Sequence, residues 1–243
     1  MIFAFGDSWT AKTNYMGETY STYRVWPELL NKETKNFAWP GASNKEILQQ
    51  VIESTIDYPD AQVDNVIVAF TSIARLTLNP SVNMELCIAN HPEYPWYESV
   101  QKIVFEKAGL TQLLHDCFLH LHAIQSMVKN TWGCETHFIP VFEDCDYWRN
   151  KENFLPHSLI NLLHNAENNR YFMFDCPVYE FGFLQDSNVN GKEWANKHLD
   201  SNWHKAHFER SNYTLSSKLF DDTQHPNQQG HRIIAKYFNE LLG

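Results

Sequence analysis

The chain of 243 residues predicts an α/β fold: a three-layer α/β/α sandwich built on a five-stranded parallel sheet. Three observations carry this expectation. Short apolar runs alternate with helix-length segments, the pattern of parallel strands joined by crossover helices. Hydrophobic residues make up 43% of the chain, enough for a sizeable buried core. No internal repeat, low-complexity segment or Gly/Ser linker interrupts it, so residues 1–243 read as a single domain.

The elements follow in order. Met1 to Phe5 reads as a buried first strand, and Trp26 to Leu30 as part of a short helix. Thr34 to Ala38 is the candidate second strand. Ser43 to Ile56 reads as a helix with Ser43 as N-cap, Glu46 completing a capping box, and Ile47, Val51 and Ile52 as its apolar stripe. Asp64 to Phe70, rich in Val and Ile, is the clearest strand. Leu78 to Tyr97 is irregular, with three prolines. A long amphipathic helix is expected from about Tyr97 to Lys129. Thr136 to Val141 and Arg170 to Phe174 read as the fourth and fifth strands, with a helix near Leu155 to Asn165 between them. Residues from about 176 to 219 are polar and aromatic without a steady period, and read as an insertion at the carboxyl edge of the sheet. Gly230 to Leu242 closes the chain as a helix, with Ile233, Ile234, Tyr237, Phe238, Leu241 and Leu242 as its apolar face.

Charge and composition exclude several classes. The formal net charge is -10 and no basic run occurs, which argues against a broad nucleic-acid or anionic-membrane surface. The longest apolar stretches are strand-sized, too short to span a bilayer. The start, MIFAFGDSW, lacks the basic region of a signal peptide. The five cysteines are odd in number and form no C-x-x-C pair, as expected of free thiols in a reducing compartment. A cytoplasmic origin is expected, or a particle assembled in the cytoplasm.

In open parallel sheets, ligands sit at the carboxyl ends of the strands, so the residues that follow each strand are the first place to look for chemistry. After the first strand comes Gly6-Asp7-Ser8. The glycine permits a tight turn, and the tripeptide fits either a hydroxyl projecting into the sheet-end crevice or an Asx turn that merely ends a strand. After the second comes Trp39-Pro40-Gly41-Ala42-Ser43-Asn44, where Gly41 can offer a backbone N–H ahead of the helix that Ser43 caps; a plain loop-to-helix junction is the simpler reading. Ahead of the last helix stands Asp222-Thr223-Gln224-His225-Pro226-Asn227-Gln228-Gln229-Gly230-His231. In a D-x-x-H, the carboxylate can hold one imidazole nitrogen while the other faces a hydroxyl, which a serine nucleophile requires. A solvated polar turn is the alternative.

Together, G-D-S within the first ten residues, the Pro-Gly-Ala-Ser-Asn loop, and D-x-x-H-P-N-x-x-G-H before a C-terminal helix resemble the SGNH (GDSL-like) hydrolase family. The resemblance runs from Ile2 to about Phe238, with the middle and the insertion unmatched. It implies a flavodoxin-like fold and a catalytic triad in which Ser8 is the nucleophile, His225 the general base and Asp222 its orienting carboxylate. It also implies oxyanion donors at the Ser8 and Gly41 N–H groups, and no metal or organic cofactor. The family's third block, G-x-N-D, is altered: the third strand ends Ala69-Phe70-Thr71-Ser72, so the Asn donor is absent and the hydroxyl of Ser72, or of Thr71, would have to replace it. Arg75 is a candidate for binding an anionic part of a substrate, or for a surface salt bridge.

His115, His120 and His122 fall on the long helix, but no H-E-x-x-H or third ligand accompanies them. His198, His204 and His207 lie in the insertion with Trp194 and Trp203. Tyr94, Trp96 and Tyr97 follow the third strand. Such aromatic loops either line a substrate cleft, where Trp96 and Trp203 would suit sugar rings, or pack to pin the loops.

The resemblance thus implies a serine esterase, and the aromatic-rich loops, with no signal of a long apolar groove, point to a short acyl group, an O-acetyl on a carbohydrate, as its expected substrate. The P-G-A-S-N loop and the T-S variant also look similar to SGNH-like proteins of bacteriophages, so a phage virion is a second expected location. Two rivals stand beside the acetylesterase: a non-catalytic structural or carbohydrate-binding protein that keeps the fold, and an acyltransferase. Neither a nucleic acid nor a membrane is expected as a partner, and oligomeric state is not legible.

Overall fold

The computed structural model describes residues 1–14, 16–71, 75–79, 82–85, 109–141, 153–155, 158–159, 162–163, 219–221 and 225–243. The apolar opening of the chain forms β1 (Ile2–Gly6), buried along its whole length. A short 3-10 turn, Trp26–Leu29, begins with Pro27 in its first positions and leads to β2 (Thr34–Asn36). Helix α1 (Asn44–Asp57) starts as its sequence requires: the Ser43 side chain accepts from the Glu46 N–H and the Glu46 carboxylate accepts from the Ser43 N–H, so two orphan donors are met reciprocally. Then come β3 (Asn65–Phe70), β4 (Arg75–Asn79), β5 (Val82–Glu85), α2 (Gly109–Trp132), β6 (Glu135–Pro140) and α3 (Gln228–Leu242).

The four strands β2, β1, β3 and β6 form one parallel sheet in that order. Successive residues of a strand face opposite sides, and both faces are covered. Phe3, Phe5, Val66, Val68, Phe70 and Phe138 pack against α1 and α2. Ile2, Ala4, Ile67, Ala69 and Ile139 pack against Trp26 and α3. This two-sided burial accounts for apolar runs without alternation. The described sheet has four strands, not five; the expected fifth, residues 170–174, lies outside the described residues, as does the expected insertion.

Three local expectations are corrected. Part of the segment read as irregular is an antiparallel hairpin, β4 paired with β5. Ile52 is 39% exposed, whereas Gln50 and Ser54 of α1 are buried; polar residues hold the core face because they have backbone partners there. The Gln50 amide donates to the Gly6 carbonyl at 2.9 Å and accepts from the Gly6 N–H at 3.1 Å. β2 pairs only with Ile2 to Ala4, so Gln50 supplies at Gly6 what a longer neighbouring strand would. In α3, Leu241 is 42% exposed, while Ile234, Ala235 and Phe238 form the buried face.

Side-chain amides also seat α3. Gln228 accepts from the Arg24 N–H and donates to the Arg24 carbonyl, and Asn239 does the same for Asn31 and Leu29. Trp26 stacks on Phe238 with ring centroids 4.6 Å apart. Among the described residues no helix is long and apolar enough to cross a membrane, and Cys117 and Cys134 are free thiols.

Gly230 is a point of close approach. A Cβ there would lie 2.5 Å from the Leu219 carbonyl oxygen and 3.1 Å from the Pro226 Cβ, too near for the α3 start to pack on the preceding loop. Gly230→Ala is expected to lower stability by about 1–3 kcal/mol through overpacking, read as a reduced urea midpoint. An unchanged midpoint would refute this contact.

Candidate active site

The site is assembled where β1 and β3 end side by side. These are the neighbours from which the chain leaves toward opposite edges of the sheet, the position at which open α/β sheets place a crevice. Beyond Gly6 the chain turns sharply: the Asp7 carbonyl accepts from the Thr10 and Ala11 N–H groups at 3.0 and 2.9 Å. The Asp7 Oδ1 accepts from the Trp9 N–H at 3.0 Å. This is an Asx turn, and it lifts Ser8 to a partly exposed position between the buried Asp7 and Trp9. The turn and the presented hydroxyl, alternatives in the sequence, coexist. No described residue accepts from the Ser8 N–H.

The loop before α3 brings the second group. Phe220 and Pro226 form an antiparallel bridge. The Asp221 N–H donates to the His225 carbonyl at 2.9 Å, and the Asp221 Oδ1 accepts from the His225 N–H at 3.1 Å. Asn227 caps α3 through the N–H groups of Gln229 and Gly230. Packing of Trp9 against Phe220, centroids 5.9 Å apart, joins this loop to the β1 turn. The His225 Nε2 then lies 2.8 Å from the Ser8 Oγ, within the reach a base needs to take the hydroxyl proton.

Asp7 fastens the floor of the site. Its Oδ2 accepts from the Thr71 hydroxyl at 2.9 Å and from the Arg75 Nη1 at 3.0 Å. Both partners are largely closed to water, with side-chain exposures of 0% for Asp7 and 13% for Arg75. Arg75 therefore makes a buried ion pair rather than a surface salt bridge. Thr71, considered as an oxyanion donor, directs its single hydroxyl proton to Asp7. Its backbone is held by Asn44, whose amide accepts from the Thr71 N–H and donates to the Thr71 carbonyl, both at 3.0 Å.

Gly41 adopts φ +78°, a left-handed conformation that costs a residue with a Cβ about 1–2 kcal/mol, so glycine is required there. Asp222, Ser72, Trp96 and Trp203 lie outside the described residues, as do His198, His204, His207, Trp194, Tyr94 and Tyr97. Among the described residues no group of three His, Cys, Asp or Glu could hold a metal ion.

Two residues near the site carry no motif. The Tyr20 ring meets His225 edge-on, centroids 6.3 Å apart and planes at 81°. Its phenol pKa is raised, by burial first and then by the carboxylates of Asp7 and Asp221; Arg75 and the Ser8 side chain act in the other direction. His231, on α3, is 3% exposed and its Nδ1 has no hydrogen-bond partner among the described residues. Burial depresses its pKa from 6.5 to about 4, with Asp221 opposing and His225 and Lys12 assisting.

No family model matches the chain, and no curated protein is significantly similar to it. Among solved structures, a catalytic mutant of Axe2, an acetylxylan esterase from Geobacillus stearothermophilus, is similar at 13% identity and a TM-score of 0.43, covering 100% of this chain and 93% of its own. A likeness of that degree assigns no activity.

Two outcomes are expected. Arg75→Met leaves a buried carboxylate without its cation, which typically costs about 3–5 kcal/mol. Adding Asp7→Asn should recover part of that loss in a double-mutant cycle followed by urea denaturation, and strictly additive losses would deny the coupling. His231 stays neutral in the folded chain down to about pH 4 but takes up a proton near pH 6.5 when unfolded. Between those values the unfolded state binds more protons, so stability is complete above pH 6.5 and falls as pH drops toward 4, by up to about 3 kcal/mol. His231→Gln should flatten that slope. A smaller slope remains from His120 and His137, whose pKa values burial also lowers.

Proposed function

We propose that the chain is a serine esterase of the SGNH type, which hydrolyses a short acyl ester, an acetyl ester of a carbohydrate, through an acyl-serine intermediate. One observation carries the reading: the Ser8 Oγ and the His225 Nε2, 217 positions apart, lie at 2.8 Å at the carboxyl end of a parallel sheet. A lone serine hydroxyl is a poor nucleophile at neutral pH, and an adjacent imidazole is the common remedy.

In this reading the His225 Nε2 takes the Ser8 proton as Oγ bonds to the ester carbonyl carbon. The carbonyl π pair moves to oxygen, and the N–H groups of Ser8 and Gly41 donate to the resulting anion. Collapse expels the alkoxide, which takes the proton from His225. Water then repeats the sequence on the acyl-serine, with His225 as base, and releases the acid. Asp222 orients His225 and stabilises its protonated form. The sequence motifs support the assignment of Asp222 and Gly41, and the short acyl group and sugar rest on the aromatic loops of the sequence.

Turnover of p-nitrophenyl acetate and covalent labelling by a fluorophosphonate test the reading. Ser8→Ala should abolish labelling, and Ser8→Ala and His225→Ala should each lower kcat by at least about 10³-fold. If the unsubstituted protein neither turns over nor labels, the chain is a non-catalytic module. Equal labelling of Ser8→Ala would place the nucleophile elsewhere.

A further inference from the structure

The segment from Lys12 to Tyr23 folds back on itself beside the site. Thr13 and Thr19 form an antiparallel bridge. The Asn14 side chain accepts from the N–H groups of Met16 and Glu18, and Gly17 turns the tip at φ +82°. The Lys12 carbonyl accepts from the N–H groups of Tyr20 and Ser21 at 2.9 and 3.2 Å. The Lys12 ammonium donates to the carbonyls of Ser21 and Tyr23 at 2.9 and 2.8 Å. Tyr20 is thus held from its backbone, with its ring edge-on at 6.3 Å to His225, the residue whose Nε2 lies 2.8 Å from the Ser8 Oγ. Chain closure of this kind positions a functional side chain more sharply than an unsupported loop does.

Acyl transfer at Ser8 places a full negative charge on the former carbonyl oxygen, and preorganised donors aimed at that oxygen are often the largest single contribution to rate. The Ser8 N–H is one such donor. The Thr71 hydroxyl gives its proton to Asp7. The Tyr20 ring lies against the base that faces Ser8, and its phenol is an O–H donor open to an entering ester, since the residue is 44% exposed.

We propose that Tyr20 is a catalytic residue, whose phenol O–H donates to the carbonyl oxygen of the bound ester and to the oxyanion formed when Ser8 attacks. The inference rests on the serine-esterase reading. The phenol proton is donated, not transferred: the Ser8 proton goes to His225, and Tyr20 enters and leaves the step neutral. The neighbouring carboxylates of Asp7 and Asp221, with burial, favour that protonated state.

The test is Tyr20→Phe in the full chain, which keeps the ring against His225 and removes only the O–H. With p-nitrophenyl acetate, kcat should fall by about 10²-fold, the usual effect of losing one oxyanion donor, with KM unchanged. Fluorophosphonate labelling of Ser8 should slow in parallel, because the phosphoryl oxygen occupies the same place. The melting temperature should stay that of the unsubstituted protein. Turnover at the unsubstituted rate overturns the proposal, and so does a change confined to KM, which would make Tyr20 a ground-state contact. Failure of the underlying reading looks different: the unsubstituted protein itself then takes no label, and Tyr20 has no reaction to serve.

Discussion

The carboxylate of Asp7 is closed to water and touches three separate parts of the chain. It accepts from the Trp9 N–H in its own turn, from the Thr71 hydroxyl at the end of β3, and from Arg75 at the start of β4. Burial of a carboxylate is costly unless its lone pairs are met, so this group strongly favours the one arrangement in which all three donors converge. That arrangement sets the direction in which Ser8 leaves the sheet. It also docks the start of the β4–β5 hairpin against the turn that follows β1.

Around this anchor, side-chain amides finish what the sheet leaves open. Gln50 and Asn44, both on α1, each pair with the N–H and the carbonyl of one strand-end residue, Gly6 and Thr71. Parallel strands of unequal length leave such groups without partners, and buried backbone groups must find them. Where α3 meets the segment between β1 and β2, Gln228 pairs with the N–H and carbonyl of Arg24, and Asn239 with the Asn31 N–H and the Leu29 carbonyl. The Ser8–His225 contact is therefore the meeting of two well-supported turns, one fixed by Asp7 and one by the Asp221 and Asn227 bonds of the loop before α3.

Some of this was legible in the residues themselves. The capping box at Ser43 and Glu46, the apolar runs of β1 and β3, and the helix after Pro226 are local features, and local chemistry writes them directly. Residues 75–85 were harder to read because a hairpin that packs beside a site needs no regular apolar pattern. The buried positions of Gln50 and Ser54 ran against the hydrophobic stripe because Gln50 finds its partner in the distant Gly6 backbone and Ser54 donates to the Gln50 carbonyl one turn back. Tyr20 stands in no motif, and nothing in the polar segment around it marks its ring as a neighbour of His225.

The sequence by itself determined the parallel α/β character, the capping box of α1 and the pair of terminal motifs that single out Ser8 and His225. These follow from periodicity and from residue types whose local preferences are strong. Only the tertiary structure decided that the two motifs meet at 2.8 Å, that Thr71 and Arg75 serve Asp7, and that Tyr20 faces the site. Each of those depends on contacts between residues far apart in the chain, and such contacts exist only once the burial of both sheet faces has brought the strand ends and the α3 loop together.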